Sequence, residues 1–288
     1  MHSKGDYQKA PFHLRLQKWS VQVLLCFLLL KFDSAENAIA QALAITNFQC
    51  LTDTIPELKA QAETGDVDSQ LCLASRYFLG TEGVTQDPIE AAKWFKKCAE
   101  AGNVYAEYWL GLMYSSGEGV AKDPIEAAKW FKKCAEAGDA RGQYYLARAF
   151  LKGIGVPKDP LEALKWFKKS AEAGLTNAQV ALGIMYEDGI GIPIDKVEAF
   201  KLYKKSAEAG DHNAQTFLGG IYESGNGVPR NIVDALAWTY IAAGKGDAFA
   251  RKQSNSFEKL YGMDLSVKAQ ERAMELSRTI TPGWTLPE

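Results

Sequence analysis

From about residue 66 the apolar positions recur at steps of three and four, stop at a glycine, and begin again about 36 residues later. Ala91, Trp94, Phe95 and Cys98 form one such stripe, which is the spacing of a single helical face and predicts an α-helix of about four turns. A second stripe precedes it: Gln70, Leu73, Ala74, Tyr77, with counterparts Glu107, Leu110, Gly111, Tyr114 and Gln143, Leu146, Ala147, Phe150. Gln179, Leu182, Gly183, Tyr186 and Gln215, Leu218, Gly219, Tyr222 continue the series. Offsets of three, four and seven again mark one helical face, and the small residue beside each Leu admits a partner helix. Between the two stripes the chain turns at Gly-x-Gly: Gly117 and Gly119, Gly153 and Gly155, Gly189 and Gly191, Gly225 and Gly227. Each repeat is therefore two short antiparallel helices. Such a pair cannot bury its apolar faces alone, so successive pairs must stack.

The second helix of each repeat carries its own start and stop signals. The block DPIEAAKWFKKCAEAG at Asp87–Gly102 returns letter for letter at Asp123–Gly138, and weaker copies run Asp159–Gly174, Asp195–Gly210 and Asn231–Gly246. Asp87, Asp123, Asp159 and Asp195 stand where a carboxylate can accept the first orphan N–H groups. Pro88, Pro124 and Pro160 follow at the position that needs no N–H. Glu90, Glu126, Glu162 and Glu198 predict an Asp-type capping box. Gly102, Gly138, Gly174 and Gly210 suit a left-handed C-terminal cap.

A 36-residue unit reading A-Q-x-x-L-G-x-x-Y-x-x-G-x-G-V-x-x-D-x-x-E-A-x-K-W-F-x-K-A-A-E-x-G resembles the Sel-one-like repeat, a relative of the tetratricopeptide repeat. The resemblance covers five copies across residues 66–246. It implies an all-α fold, a right-handed α-solenoid of stacked antiparallel helix pairs, with a concave face built by the first helix of each pair. It also implies an adaptor or scaffold that holds other proteins and catalyses nothing.

The ends of the chain read differently. Pro56–Gly65 resembles the second half of a repeat, and residues 41–65 predict an N-terminal capping segment. Residues 247–280, rich in Lys, Arg, Glu and Ser, predict C-terminal capping helices, and 281–288 a loose tail. In residues 1–40, Lys4, Lys9, Arg15 and Lys18 precede the apolar run Val21–Leu30, and Ala38 and Ala40 follow. That order is expected of a secretory signal peptide cleaved after Ala40. About ten apolar residues fall short of the roughly twenty that span a bilayer, so no stable membrane span is expected after cleavage. An exported, periplasmic or secreted protein is the expectation.

Charge and rare residues narrow the function. Without residues 1–40 the chain keeps 28 basic and 32 acidic groups, which argues against nucleic acid as a partner. The pairs Lys96–Lys97, Lys132–Lys133, Lys168–Lys169 and Lys204–Lys205 lie in last helical turns, where cations complement the helix dipole and neighbouring Glu residues. Of Cys50, Cys72, Cys98 and Cys134, the last two occupy one repeat position. Equivalent positions in stacked helices stand roughly 8–10 Å apart, beyond disulfide reach. Cys72 with Cys50 or with Cys98 stays open. One histidine, His212, follows the leader, so neither a metal site nor a Ser-His-Asp arrangement can be drawn, and no cofactor is expected. Ser256–Lys259 (SFEK) matches Ser-x-x-Lys without the companion motifs of penicillin-recognising enzymes. Because some secreted cysteine-rich relatives have been proposed to bind penicillin-like compounds, a cell-wall or β-lactam-related hydrolase or binding protein is the alternative function.

The resemblance also points to a groove lined by first-helix positions flanking the shared Leu. Carried over by offset, two before the Leu gives Leu71, Tyr108, Tyr144, Val180 and Thr216. Five before gives Asp68, Tyr105, Arg141, Asn177 and Asn213. Two after gives Ser75, Leu112, Arg148, Ile184 and Gly220. Tyr105, Tyr108, Leu112, Arg141, Tyr144, Arg148, Asn177, Val180 and Ile184 are thus the candidate binding residues for a peptide or protein segment. Tyr and Arg are the side chains enriched in interface hot spots, and two Arg around a Tyr predict a carboxylate clamp.

Overall fold

The computed structural model describes residues 54–81, 83–244 and 248–280. The leader, Cys50 and the 281–288 tail lie outside the described residues. Within them the chain is helical without a strand: α1 Ile55–Glu63, α2 Val67–Leu79, α3 Pro88–Glu100, α4 Val104–Ser116, α5 Pro124–Glu136, α6 Ala140–Lys152 and α7 Pro160–Glu172. There follow α8 Thr176–Asp188, α9 Lys196–Glu208, α10 His212–Ser224, α11 Ile232–Gly244, α12 Ala248–Tyr261 and α13 Met263–Ile280. The fold is an all-α solenoid of helix pairs. It divides into two compact units, one ending at Lys122 and one beginning at Asp123.

In the first unit α1 packs on α2, α2 on α3 and α3 on α4. Phe95 of α3 stacks against Trp109 of α4, with ring centroids 6.2 Å apart, and Phe78 of α2 leans on the same indole at 5.3 Å. In the second unit each helix from α5 to α11 packs on the next, and α11 then receives both α12 and α13. The same aromatic contact recurs there, Phe131 on Tyr145 at 5.0 Å and Tyr203 on Phe217 at 5.1 Å. α11 is the most deeply enclosed helix, with every residue from Ala235 to Ala243 buried. Residues 248–280 thus form a pair of helices closing over α11, and Ala269 and Ala273 of α13 join its core.

The second helices begin as their sequence predicts, with one correction. Asp87, Asp123 and Asp159 each accept the N–H groups two and three residues on, and Asp195 accepts that of Glu198. The predicted capping boxes do not close. The N–H groups of Asp87, Asp159 and Asp195 donate instead to the carbonyls of Tyr77, Phe150 and Tyr186 on the preceding first helices, at 2.8–2.9 Å. A tertiary acceptor takes the donor, and Glu90, Glu126, Glu162 and Glu198 turn to Lys93, Lys129, Lys165 and Lys201. Among the described residues the one capping box present is Thr54 with Glu57 at the start of α1.

The lysine pairs are absorbed locally. Lys97, Lys133 and Lys169 lie over Trp94, Trp130 and Trp166 at 4.0–4.4 Å, while Lys132 and Lys204 reach Glu136 and Glu208. The turn glycines are tight connections. Gly155 (φ +75°) lies against the carbonyl of Pro124, so a Cβ there has no room.

Candidate functional site

The predicted binding residues fall into both units and differ sharply in access. In the first unit Leu71 and Ser75 are buried at 2% and 3% exposure, and Ser75 donates to the carbonyl of Leu71. Tyr108, at 6%, stands edge-on to Trp109 with centroids 5.6 Å apart. These positions belong to packing. Tyr105 and Leu112 remain half-buried.

In the second unit the same register opens. Arg141, Tyr144 and Arg148 of α6, Val180 and Ile184 of α8, and Thr216 and Gly220 of α10 are all half-buried, and Asn177 and Asn213 are exposed. Val180 and Ile184 rest on the core cluster that includes Tyr203 and Leu218. A Cβ added to Gly220 would meet nothing within 4 Å, so space stands over this stretch of α10.

The two arginines have separate fates. Arg141 closes on Asp139 through Nε (3.1 Å) and Nη2 (2.7 Å), a bidentate pair at the N-terminus of α6. Asp139 also accepts the amide N–H of Arg141 and of Gly142. Burial pushes that carboxyl up, but the Arg141 hydrogen bonds and charge with the two amides outweigh it and hold it below the usual range. Arg148 instead lies over Tyr144 and Tyr145, its guanidinium carbon 5.5 and 5.4 Å from their ring centroids. Burial raises the Tyr144 hydroxyl, Arg148 lowers it in part, and the negative charge of Asp211 is felt there too. A symmetric two-arginine clamp is therefore not what the chain builds. Asp139, Tyr145 and Asp211 were not among the expected residues. Asp139 was foreseeable, since Asp-Ala-Arg at a helix start sets an acid two residues before a base.

The remaining candidates for chemistry are inert in placement. Cys98 and Cys134 are buried thiols outside any disulfide. Burial, with the charge of Asp68, pushes Cys98 up to about 12, and its Sγ faces the carbonyl of Val67 at 3.6 Å. Ser170 and Ser206 donate at the same repeat position to Ala140 and Thr176, so this is a packing site. Cys72 is disulfide-bonded, which with a free Cys98 removes the Cys72–Cys98 pairing. His212 is the exposed first residue of α10, and no metal-binding cluster occurs among the described residues. Ser256 donates to the carbonyl of Lys252 within α12, and no hydrogen bond joins it to Lys259. No helix among the described residues is long and apolar enough to cross a membrane.

Comparison with known proteins places these features. The Sel1 repeat model matches residues 67–103, 104–139, 140–175, 176–211 and 212–247. No curated protein sequence matches. A solved Sel1 repeat protein from Oxalobacter formigenes is 33% identical, with 79% of this chain and 98% of that one aligned at a TM-score of 0.65. A protective antigen of uropathogenic Escherichia coli displaying an SLR fold is 30% identical at a TM-score of 0.61. The alignment covers 78% of this chain and 56% of the antigen, so the chain spans little more than half the antigen's length. Sel1 repeat proteins are in general non-enzymatic helical scaffolds for protein–protein interaction. With five matched repeats and this stacked architecture, the chain belongs to the Sel1 repeat family.

Proposed function

We propose that this protein is an exported scaffold that holds a peptide or protein segment along the first-helix face of its second unit. One contrast carries the reading. Residues shared by all repeats are spent on caps and packing, whereas Tyr144, Arg148, Val180, Ile184 and Gly220 differ from repeat to repeat and stay accessible. A face that is apolar in the middle, aromatic at one end and open at the other suits an extended chain. Export is supported by the order of basic, apolar and small residues in 1–40 and by a disulfide at Cys72, which an oxidising compartment permits.

A photoreactive side chain at position 184, introduced in living cells, is expected to cross-link a protein partner. The same group at exposed Lys165 on α7 is expected to capture none. Equal capture from both positions would overturn the groove. N-terminal sequencing of the protein from a periplasmic extract is expected to begin near Gln41; a cytoplasmic chain retaining residues 1–40 would refute export. No observation favours the β-lactam-related alternative, and a penicillin probe is expected to leave Ser256 unlabelled.

A further inference from the structure

Granting the groove proposed above, we infer that Arg148 is an anchor for a carboxylate, so that the bound segment presents an acidic group at α6 with apolar residues beside it. Arg148 is the one charged residue in its register, where the other repeats carry Ser75, Leu112, Ile184 and Gly220. No acidic side chain of the described residues forms an ion pair with it, whereas Arg141, two turns earlier on the same face of α6, is closed on Asp139. Asp211, the other charge felt in this region, accepts the N–H of Ala214 as the cap of α10. Among the described residues Arg148 is therefore a cation of this face without an ion-pair partner, and an acid on a ligand can supply one.

Its setting favours a carboxylate. Two tyrosine rings support the guanidinium, and the Tyr144 hydroxyl accepts one hydrogen bond from it, which restricts its rotamers and strips part of its water; of its five N–H donors others are left for a ligand. Preordered donors of this kind bind carboxylates through charge-assisted hydrogen bonds, two at a time. Val180 and Ile184 lie on the next first helix, so residues beside the acid meet aliphatic surface. The acid is supplied either by an Asp or Glu side chain or by a chain terminus, and the chemistry at Arg148 is the same.

The test is selection of random dodecapeptides on the full-length protein from two libraries, one with its C-terminus amidated and one with it free. Enrichment of Asp or Glu beside aliphatic residues in the amidated library identifies a side-chain acid, and enrichment in the free library alone identifies the terminus. A selected peptide is expected to bind Arg148→Gln about tenfold more weakly, the ratio equivalent to roughly 1.4 kcal/mol. Replacing the peptide's acid by its amide should cost wild type the same factor and cost Arg148→Gln nothing further. Gly220→Gln, which places a side chain in open space on α10, is expected to abolish binding while circular dichroism shows the fold retained. Peptides that bind without an acid, ignore Arg148→Gln and are lost on Gly220→Gln would overturn this inference and leave the groove standing. Absence of any binder, or binders indifferent to Gly220→Gln, would overturn the groove and the inference with it.

Discussion

A single hydrogen-bond position shows how each residue serves the repeat. Gln70, Gln143, Gln179 and Gln215 donate their amide N–H to the carbonyls of Ala62, Ala135, Ala171 and Ala207 at 3.0–3.4 Å. Each adds a side-chain donor to a carbonyl near the end of the preceding helix that also accepts the N–H of Gly65, Gly138, Gly174 or Gly210, so both lone pairs of that buried oxygen are used. The second repeat has Glu107 there, buried at 7% exposure. An ionised carboxylate has no hydrogen to donate. Gln215→Glu, at a position with 0% exposure, is therefore expected to destabilise the fold by about 2 kcal/mol, because it buries a charge where a donor stood. Urea denaturation at neutral pH checks this, and a variant as stable as the parent would mean that the carboxylate finds a donor the glutamine does not use. The cysteine position obeys the same logic at lower stakes, since a serine there meets the same carbonyl.

At the scale of the helix, caps were the most legible feature and also the place where sequence reading reached too far. Asp followed by Pro states its own geometry, and the structure has the cap where the letters stand. Asp followed three residues on by Glu does not, because the N–H the Glu would take has a better acceptor on the preceding helix, across the turn. The groove was half legible for a similar reason. Offsets from the shared Leu pick out one helical stripe, but along it Tyr108 is buried and Tyr144 only half-buried, and that difference lies in tertiary packing. Caps also expose a weak point. First helices start from Asp66, Asn103, Asp139 and Asp211, each with a side-chain hydrogen bond, but α8 starts from Leu175 without one. The backbone at Leu175 (φ −68°, ψ 114°) already matches that of Asp211 (φ −68°, ψ 119°). Leu175→Asp should therefore accept the N–H of Ala178 without rearrangement and add about 1 kcal/mol. Leu175 is half-buried, so the gain is to be measured against Leu175→Ala, which loses the same packing and supplies no cap. Equal midpoints for the two variants would refute it.

For the whole molecule, the letter-for-letter block means that α3 and α5 present the same surface to whatever follows them. Deleting residues 103–138 removes one 36-residue period and joins Gly102 to Asp139, a junction identical in sequence to Gly138–Asp139. Phe95 stacks on Trp109 as Phe131 stacks on Tyr145, so α6 can take the place of α4 against α3 with its aromatic contact intact. Solenoid stability is close to a sum over repeats and their interfaces, so the shortened chain should lose stability without losing cooperativity. It is expected to keep its ellipticity per residue and to melt in one transition at a lower temperature. Because α6, α8 and α10 are retained, it should also bind peptides selected on the full chain. Removing residues 123–138 alone is the necessary contrast. That deletion takes out α5 and leaves two first helices in succession, each with an apolar face made for a second helix. It should give a chain with reduced helicity per residue and a broad melt. If both deletions behaved alike, the copied block would have no special standing as an interchangeable interface, and the modular account of this array would fail.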